Sequence, residues 1–445
     1  MANEREQWQS SWGFVLATVG SAIGLGNIWR FPTVVGRSGG GAFLILYLLI
    51  IIVIGLPLML AELAIGRRGS TNIIHSFQKI KPDSYWWLIG GLGVTTGFVI
   101  LSFYSVISGW SMNYIYRFFA GDFAGLNPEQ IEEVYEGFVG NPVAPVFWQG
   151  LFVAIVIGVV IMGITKGIEK VSKILMPVMF VLLFLLLFRS VTLEGAREGI
   201  MWYLKPDFSV INLGIVLSAL GQVFFSLSLG MGSVITYGSY LTDEQNIPRS
   251  GLVISVADLT IAIVSGLIII PSVFAFGLEP EIGPPLIFVT LPLVFGSIPF
   301  GNIFGGLFFT LLSIAALTSA IAILEVVVSY FMDELDWGRK KVAIITGITI
   351  FILGLPSSLS MGVLKDFLIW DLPFLDFMDF LSANLLLPLT GLLTVIFVGW
   401  VWKPEGTLKE IRREGVNFRL WKPWAVIIKY VLPVVLSYVL ITGLI

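Results

Sequence analysis

The chain has no cysteine and a single histidine, His75, among its 445 residues. That inventory excludes a disulfide framework, a thiolate metal site and any Cys or multi-His catalytic constellation. Charge is scarce as well: 12% of the residues are Asp, Glu, Lys or Arg, where soluble globular proteins carry about a quarter. The net charge of −3 hides no basic block able to neutralise a run of phosphates, so nucleic acid is not an expected partner. Residues 1–10 are short and polar and lead into an apolar stretch without a small-residue cleavage site, so no removable signal peptide is expected. What is left for chemistry is oxygen, carried by hydroxyls, carboxylates, amides and backbone carbonyls.

What is present is apolar, at 56% of the residues. A hydrocarbon core about 30 Å thick needs roughly 20 apolar residues per helical crossing. Eleven stretches meet that need, near 11–36, 41–66, 87–119, 146–164, 168–190, 212–240, 250–277, 303–332, 340–357, 374–402 and 421–444. Two further apolar pieces, 284–300 and 363–374, are short and crowded with Pro and Asp, and read as helical loops folded over one face. Lys and Arg gather on one set of loops, among them Arg67, Arg68, Lys166, Lys170, Arg249, Lys340 and Lys409, while acids such as Asp122, Glu129, Glu132 and Glu133 dominate the other. This bias places the N-terminus in the cytoplasm, and eleven crossings put the C-terminus outside. The longest polar stretches, 120–145 and 403–420, are too short to bury cores of their own, so one multi-pass membrane domain is expected.

Two of the eleven segments are interrupted. The first carries Gly20, Gly24 and Gly26 close together, and the sixth carries Gly230 and Gly232 after Ser226 and Ser228. Glycine weakens a helix by about 1 kcal/mol relative to Ala, and a break in lipid frees backbone groups that need other partners. A lone pattern of small residues would serve close helix packing. Here, however, the breaks fall in corresponding members of two five-helix halves, which points to a transporter site. Polar groups crowd them: Ser21 and Asn27 at one, Gln222, Ser226, Ser228 and Ser233 at the other, with Thr318 and Ser319 at membrane depth in the eighth segment. Freed carbonyls and side-chain oxygens suit a hard alkali cation, and freed helix N-termini suit a carboxylate. No nucleophile–base pair accompanies them, so an enzyme is not expected.

The segments Gly-Ser-Ala-Ile-Gly-Leu-Gly-Asn-Ile-Trp-Arg-Phe-Pro (20–32), Gly-Gly-Gly-Ala-Phe (39–43), Gly-Gln-Val-Phe-Phe-Ser-Leu-Ser-Leu-Gly (221–230) and Ala-Leu-Thr-Ser (316–319) resemble the neurotransmitter:sodium symporters, particularly their prokaryotic amino-acid transporters. The likeness runs from about Arg5 to the last helix. It implies an all-α integral membrane protein of about eleven transmembrane helices, with the LeuT-type 5+5 inverted repeat and helices 1 and 6 unwound at mid-membrane; LeuT is the standing example of that architecture. Repeat one would span about 11–190, repeat two about 212–402, with an extra helix at about 421–444. Some members of the family have a twelfth helix.

Carried over position by position, the resemblance implies a first sodium site built from the Ala22 carbonyl, Asn27, Ser226 and Asp258 together with the substrate carboxylate. A second would use the carbonyls of Gly20, Ile23 and Ala315 with the hydroxyls of Thr318 and Ser319. The implied substrate pocket is lined by Ala22, Gly24, Leu25, Gly26, Ile100, Tyr104, Phe225, Ser226, Ser228, Met231, Ser319 and Ile323, with Tyr104 bonding the carboxylate. Arg30 and Asp379 resemble the extracellular gate pair, with Phe225 as the lid. Arg5 and Asp333, near Trp8, Ser239 and Tyr240, resemble the cytoplasmic gate. Gly167 and Pro177 match the family's Gly-X9-Pro spacing, which implies local unwinding at the start of the fifth segment and a water path to the second sodium site.

Departures from the family pattern are informative. Asp258 stands where many relatives have Asn, and Ala262 where chloride-dependent animal members have Ser, while Tyr47, Gln222 and Ser226 keep much of the chloride-site pattern. An ionised Asp258 would supply the negative charge beside sodium, so chloride independence is expected. Gly24 stands where monoamine carriers have an Asp for the ligand amine, which favours a zwitterionic amino acid, and the Ile100, Phe225, Met231 and Ile323 wall favours a hydrophobic or aromatic side chain. The expected function is therefore sodium-coupled import of such L-amino acids by alternating access across the cell membrane. The expected partners are the amino acid, two sodium ions and the lipid bilayer, with no organic cofactor and no obligatory protein partner inferred. Two alternatives stay open: a proton-coupled carrier of the same fold, in which Asp258 titrates, and a channel.

Overall fold

A computed structural model of the chain describes residues 6–278 and 285–443. Long apolar runs dictate helices here, because in lipid each backbone N–H and C=O must find its partner within the segment. Helices α1 (Ser11–Ala22) and α2 (Gly26–Arg37) form one span bent by 48°. They are followed by α3 (Gly41–Gly69), α4 (Tyr85–Ala120), α5 (Ala144–Ile161) and α6 (Ile164–Val191). Next, α7 (Leu213–Ser226) and α8 (Ser233–Gly238) share an interrupted crossing. Helices α9 (Ile247–Ala275), α10 (Leu286–Gly296), α11 (Gly301–Leu335), α12 (Arg339–Leu359), α13 (Phe374–Val401) and α14 (Trp421–Thr442) complete the set.

Among the described residues, nine helices are long and apolar enough to cross a membrane alone, and the bent α1–α2 pair makes a tenth. The α7–α8 pair occupies the remaining expected segment. Burial separates the spans: 83% of the most apolar window of α11 and 72% of that of α4 lie inside the protein, against 22% for α14. The first two are therefore central pillars, and α14 is a peripheral attachment.

Connecting segments carry structure of their own. The polar stretch after α4 contains a helix, Pro128–Val139, started by a reciprocal capping box between Asn127 and Gln130, a pattern that satisfies two orphan donors at once. Of the expected helical loop at 284–300, residue 284 lies outside the described residues, and Leu286–Gly296 forms the short α10. The stretch 363–374 differs from the helical loop expected from sequence. Leu368–Ile369 pairs antiparallel with Leu372–Pro373, and the turn between them holds Trp370 and Asp371 at φ of 52° and 60°. Two consecutive left-handed residues make the tight turn whose twist matches a hairpin, and Pro373 drives the residue before it out of the helical region. Beyond α13, a helix at Lys403–Ile411 buries Pro404, Thr407, Leu408, Glu410 and Ile411.

Candidate functional site

The two interruptions face each other, and their freed backbone groups are bonded. At the end of α1, Ile23 turns to an extended conformation (φ −84°, ψ 99°), and the chain becomes helical again through a wide turn at Gly26–Arg30. The Leu25 N–H donates to the Tyr104 hydroxyl at 3.0 Å, and Gln222 Nε2 donates to the Gly26 carbonyl at 2.7 Å. Between α7 and α8, Ser228, Gly230 and Gly232 all adopt positive φ, of 54°, 77° and 84°; glycine tolerates that region without steric cost. There the Gly230 N–H donates to Glu62 Oε1 at 2.9 Å and the Ser228 hydroxyl to the Ser21 carbonyl at 2.9 Å. Side chains from α3, α4 and α7 thus take up polar groups that lipid could not satisfy.

Asp258, fully buried in the middle of α9, draws one group of expected ligands together. Its Oδ1 accepts from Asn27 Nδ2 at 2.8 Å and from the Ser226 hydroxyl at 2.6 Å, and its Oδ2 lies 3.4 Å from the Tyr47 hydroxyl. Asn27 Nδ2 also reaches the Asp258 carbonyl at 3.2 Å. Ala22, at the end of α1, lines the cavity described below. Ala262, one helical turn beyond Asp258, is buried. The carboxylate and the hydroxyl meet here as oxygen donors that suit a hard cation, while the Asn27 amide oxygen is turned to the Gly24 N–H at 3.4 Å.

A second group forms where α1 meets α11. The Ser319 hydroxyl donates to the Ser21 carbonyl at 2.8 Å and lies 3.5 Å from the Gly20 carbonyl, while the Thr318 hydroxyl donates to the Ala315 carbonyl at 3.1 Å. A Cβ on Gly20 would stand 3.1 Å from the Thr318 Cβ, a tight contact, so glycine eases the close approach of α1 and α11. Gly20, Ala315, Thr318 and Ser319 are therefore assembled. Ile23 stands at the helix end, with its N–H spent on the Val19 carbonyl.

A small cavity lies between the breaks, lined by every expected pocket residue except Leu25 and Ser226. Leu25 and Ser226 turn their polar groups to Tyr104 and Asp258 instead. No charged side chain lines the cavity: Ile100, Phe225, Met231 and Ile323 supply an apolar wall, and Tyr104, Ser228 and Ser319 the polar groups. A Cβ on Gly24 would overlap the Ser319 hydroxyl and come within 2.6 Å of the Tyr104 hydroxyl, so the unwound strand packs flush against α4 and α11.

On one side of the cavity, Arg30 Nη1 lies 4.0 Å from Asp379 Oδ1, and the guanidinium sits 4.9 Å from the centre of the Phe225 ring. On the other, Trp8 Nε1 donates to the Tyr237 carbonyl at 3.1 Å and the Trp8 N–H to the Tyr240 carbonyl at 3.2 Å. The Tyr240 hydroxyl donates to Glu325 Oε1 at 2.6 Å, and Arg339 closes on both Glu325 oxygens at 2.7 and 2.9 Å. Ser239 donates to the Thr236 carbonyl. Asp333 accepts from Thr71 Oγ1, the Asn72 N–H and Asn72 Nδ2 at 3.0–3.2 Å. Arg5, its expected partner, lies outside the described residues. Gly167 of the Gly-X9-Pro spacing sits in a wide turn, Ile164–Glu169, at the start of α6.

Reading the sequence passed over Glu62, Glu325 and Arg339. A signal existed for the two acids, because each interrupts an otherwise apolar segment and intramembrane acids are costly and usually functional. Their partners, Gly230, Tyr240 and Arg339, lie on other segments and could not be paired from spacing.

Residues 5–131 and 138–445 match the family model described as the sodium:neurotransmitter symporter family. The sodium-dependent transporter YhdH of Bacillus subtilis is 40% identical over 434 residues, 97% of this chain and 96% of YhdH. A sodium-dependent transporter of Haemophilus influenzae is 38% identical over 452 residues, 99% of this chain and 98% of that protein. Among solved structures, MhsT in complex with L-phenylalanine matches with a TM-score of 0.92 at 45% identity, covering 99% of this chain and all of MhsT.

Proposed function

The chain belongs to the sodium:neurotransmitter symporter family, and from that premise we propose that it imports hydrophobic and aromatic L-amino acids with two sodium ions, independently of chloride. It is a sodium-dependent, multi-pass membrane transporter with the LeuT-type fold, not an enzyme. The observation that carries the finer reading is the cavity between the breaks, with no charge in its lining and an aliphatic and aromatic wall. A substrate there must bring its own balanced charges, as a zwitterion does: its carboxylate faces Tyr104 and the first ion, and its side chain faces Ile100, Phe225, Met231 and Ile323. The resemblance to MhsT, solved with L-phenylalanine, supports the same substrate class.

The first ion takes the Ala22 carbonyl, Asn27, Ser226 and Asp258; the second takes the carbonyls of Gly20, Ile23 and Ala315 with Thr318 and Ser319. Asp258 makes chloride unnecessary, because its carboxylate already provides the negative charge among Tyr47, Asn27 and Ser226. The two repeats, about 11–190 and 212–402, form a single transporter domain in the cell membrane with the N-terminus in the cytoplasm. A bundle of α1–α3 and α7–α9 rocks against the remaining helices. Arg30 and Asp379 close the outside; Trp8, Tyr240 and Asp333, with Arg5, close the inside. Unwinding between Gly167 and Pro177 opens a water path to the second ion. Each charge entering down 100 mV gains about 2.3 kcal/mol, so two ions with a zwitterion support roughly 10³-fold accumulation before any concentration gradient.

Purified protein in liposomes tests this. With an inward sodium gradient, labelled Phe, Leu and Trp are expected to accumulate equally well in chloride and in gluconate, and Asp258→Asn is expected to abolish that uptake in gluconate. Uptake driven by a proton gradient without sodium would overturn the ion assignment, and uptake lost in gluconate would overturn the role given to Asp258.

A further inference from the structure

The cytoplasmic end of α3 carries a charge cluster, buried at its core and exposed at its Arg413–Asp243 edge, unconnected to the ion and substrate sites. Arg67 and Glu410 are 1% and 3% exposed, and Arg67 Nε donates to Glu410 Oε1 at 2.9 Å. Arg67 Nη1 donates to the Gln245 carbonyl at 2.7 Å, and Nη2 donates to the Glu410 carbonyl. Glu410 also takes Arg413 Nε at 3.1 Å, and Arg413 pairs with Asp243. Two arginines and two acids thus form a neutral quartet that joins three pieces of chain: α3, the loop between α8 and α9, and the helix Lys403–Ile411.

The first two pieces belong together. A Cβ on Gly66 would overlap the Ile235 carbonyl and stand 2.9 Å from the Gly238 backbone, so α3 and α8 touch backbone to backbone and move as one. The third piece is different in origin, because it follows α13, which carries Asp379 and lies outside the rocking bundle. Its ends are marked by residues in the left-handed region, Lys403 at φ 66° as its first residue and Glu414 and Gly415 at 52° and 75° after it. Only glycine adopts that region freely, so the chain turns sharply away from its neighbours on both sides of the helix.

We propose that the helix Lys403–Ile411 is mechanically part of the moving bundle, with Arg67 and Glu410 as the positioning residues that hold it there and the left-handed breaks at Lys403 and Glu414–Gly415 as its hinges. The proposal rests on the alternating-access reading above. A pair buried this deeply is strongly disfavoured from separating, since each charge left behind would lack both water and counter-ion. Main-chain acceptors on two of the three pieces add geometry that a point charge could not supply. During inward opening the helix therefore follows α3, and the chain bends where α13 ends.

The absence of native cysteine makes the test direct. Spin labels are attached through Arg68→Cys with Lys340→Cys, and separately through Lys409→Cys with Lys340→Cys; all three positions are exposed, and Lys340 lies on α12 outside the bundle. Distances are measured by pulsed electron paramagnetic resonance with sodium and phenylalanine present, and again without sodium. Both distances are expected to shift with the same sign and by a similar amount. Adding Glu410→Gln, which keeps the side-chain size and the main-chain acceptor, is expected to leave the 68–340 shift intact while the 409–340 distance stops following it. A 409–340 distance that stays constant in the native background while 68–340 moves would overturn the proposal, as would unchanged coupling in Glu410→Gln. A 68–340 distance that never responds would overturn the rocking reading itself, and this proposal with it.

Discussion

The two sides of the central cavity are closed in unlike ways. On the Arg30 side there is one aromatic ring and one ion pair, at 4.0 Å, whose partners are 24% and 35% exposed. On the Trp8 side, the indole is buried against Tyr237, Tyr240 and Phe14, Tyr240 donates into Glu325, and Arg339 clasps the same carboxylate. A part-exposed pair is worth about 0–1 kcal/mol, whereas removing one partner of a buried pair costs about 3–5 kcal/mol. One side is a latch and the other a lock. In the proposed alternating-access cycle, loading from the latch side would need little energy, while opening the lock would draw on the free energy of substrate and ion binding, which can shift the equilibrium only by its preference for one state.

The largest disturbance of this asymmetry is expected from Glu325→Gln, which leaves the mostly buried Arg339 guanidinium without its counter-charge. The closed state should lose about 3–5 kcal/mol, read as faster reaction of a cysteine placed at Ser228 with a reagent supplied from the Trp8 side. Unchanged reactivity would mean that this cluster is not the lock. Trp8→Phe keeps most of the ring contacts but removes the indole's hydrogen bond to the Tyr237 carbonyl, which keeps the Tyr240 N–H at 3.2 Å. A smaller loss of about 0.5–1.5 kcal/mol is expected, seen with the same reagent. Asp379→Asn is the mildest, at under about 1 kcal/mol, and should appear only as a modestly faster release of labelled phenylalanine toward the Arg30 side. If it exceeded Glu325→Gln in the accessibility it confers, latch and lock would have to be exchanged.

The breaks could be read from sequence because glycine pairs stand out within apolar segments, where each lost helical bond must be answered by another group. Asn27, Ser226, Thr318 and Ser319 were conspicuous for the same reason, as polar side chains at a depth where polarity is costly. The hairpin at 368–373 escaped, because its turn depends on left-handed Trp370 and Asp371, residue types that do not announce such a conformation. Of the lock on the Trp8 side, the resemblance named Trp8 and Tyr240 but neither Glu325 nor Arg339. Glu325 was visible as an acid in an apolar segment, but Tyr240 lies 85 positions away. Arg67 and Glu410 are separated by 343, and they looked like ordinary loop charges on the basic side of the membrane.

By itself, the sequence determined that this chain crosses the membrane repeatedly, that two helices open at mid-depth and that oxygen must do the chemistry. These are consequences of local composition, since apolar length, glycine and the lack of cysteine act within single segments. Only the tertiary structure decided which acids meet which donors, how tightly each side is closed and that Arg67 of α3 pairs with Glu410 of the helix Lys403–Ile411. Those depend on distances between segments remote in sequence, and at low dielectric a few ångströms separate a paired charge from an unaffordable one.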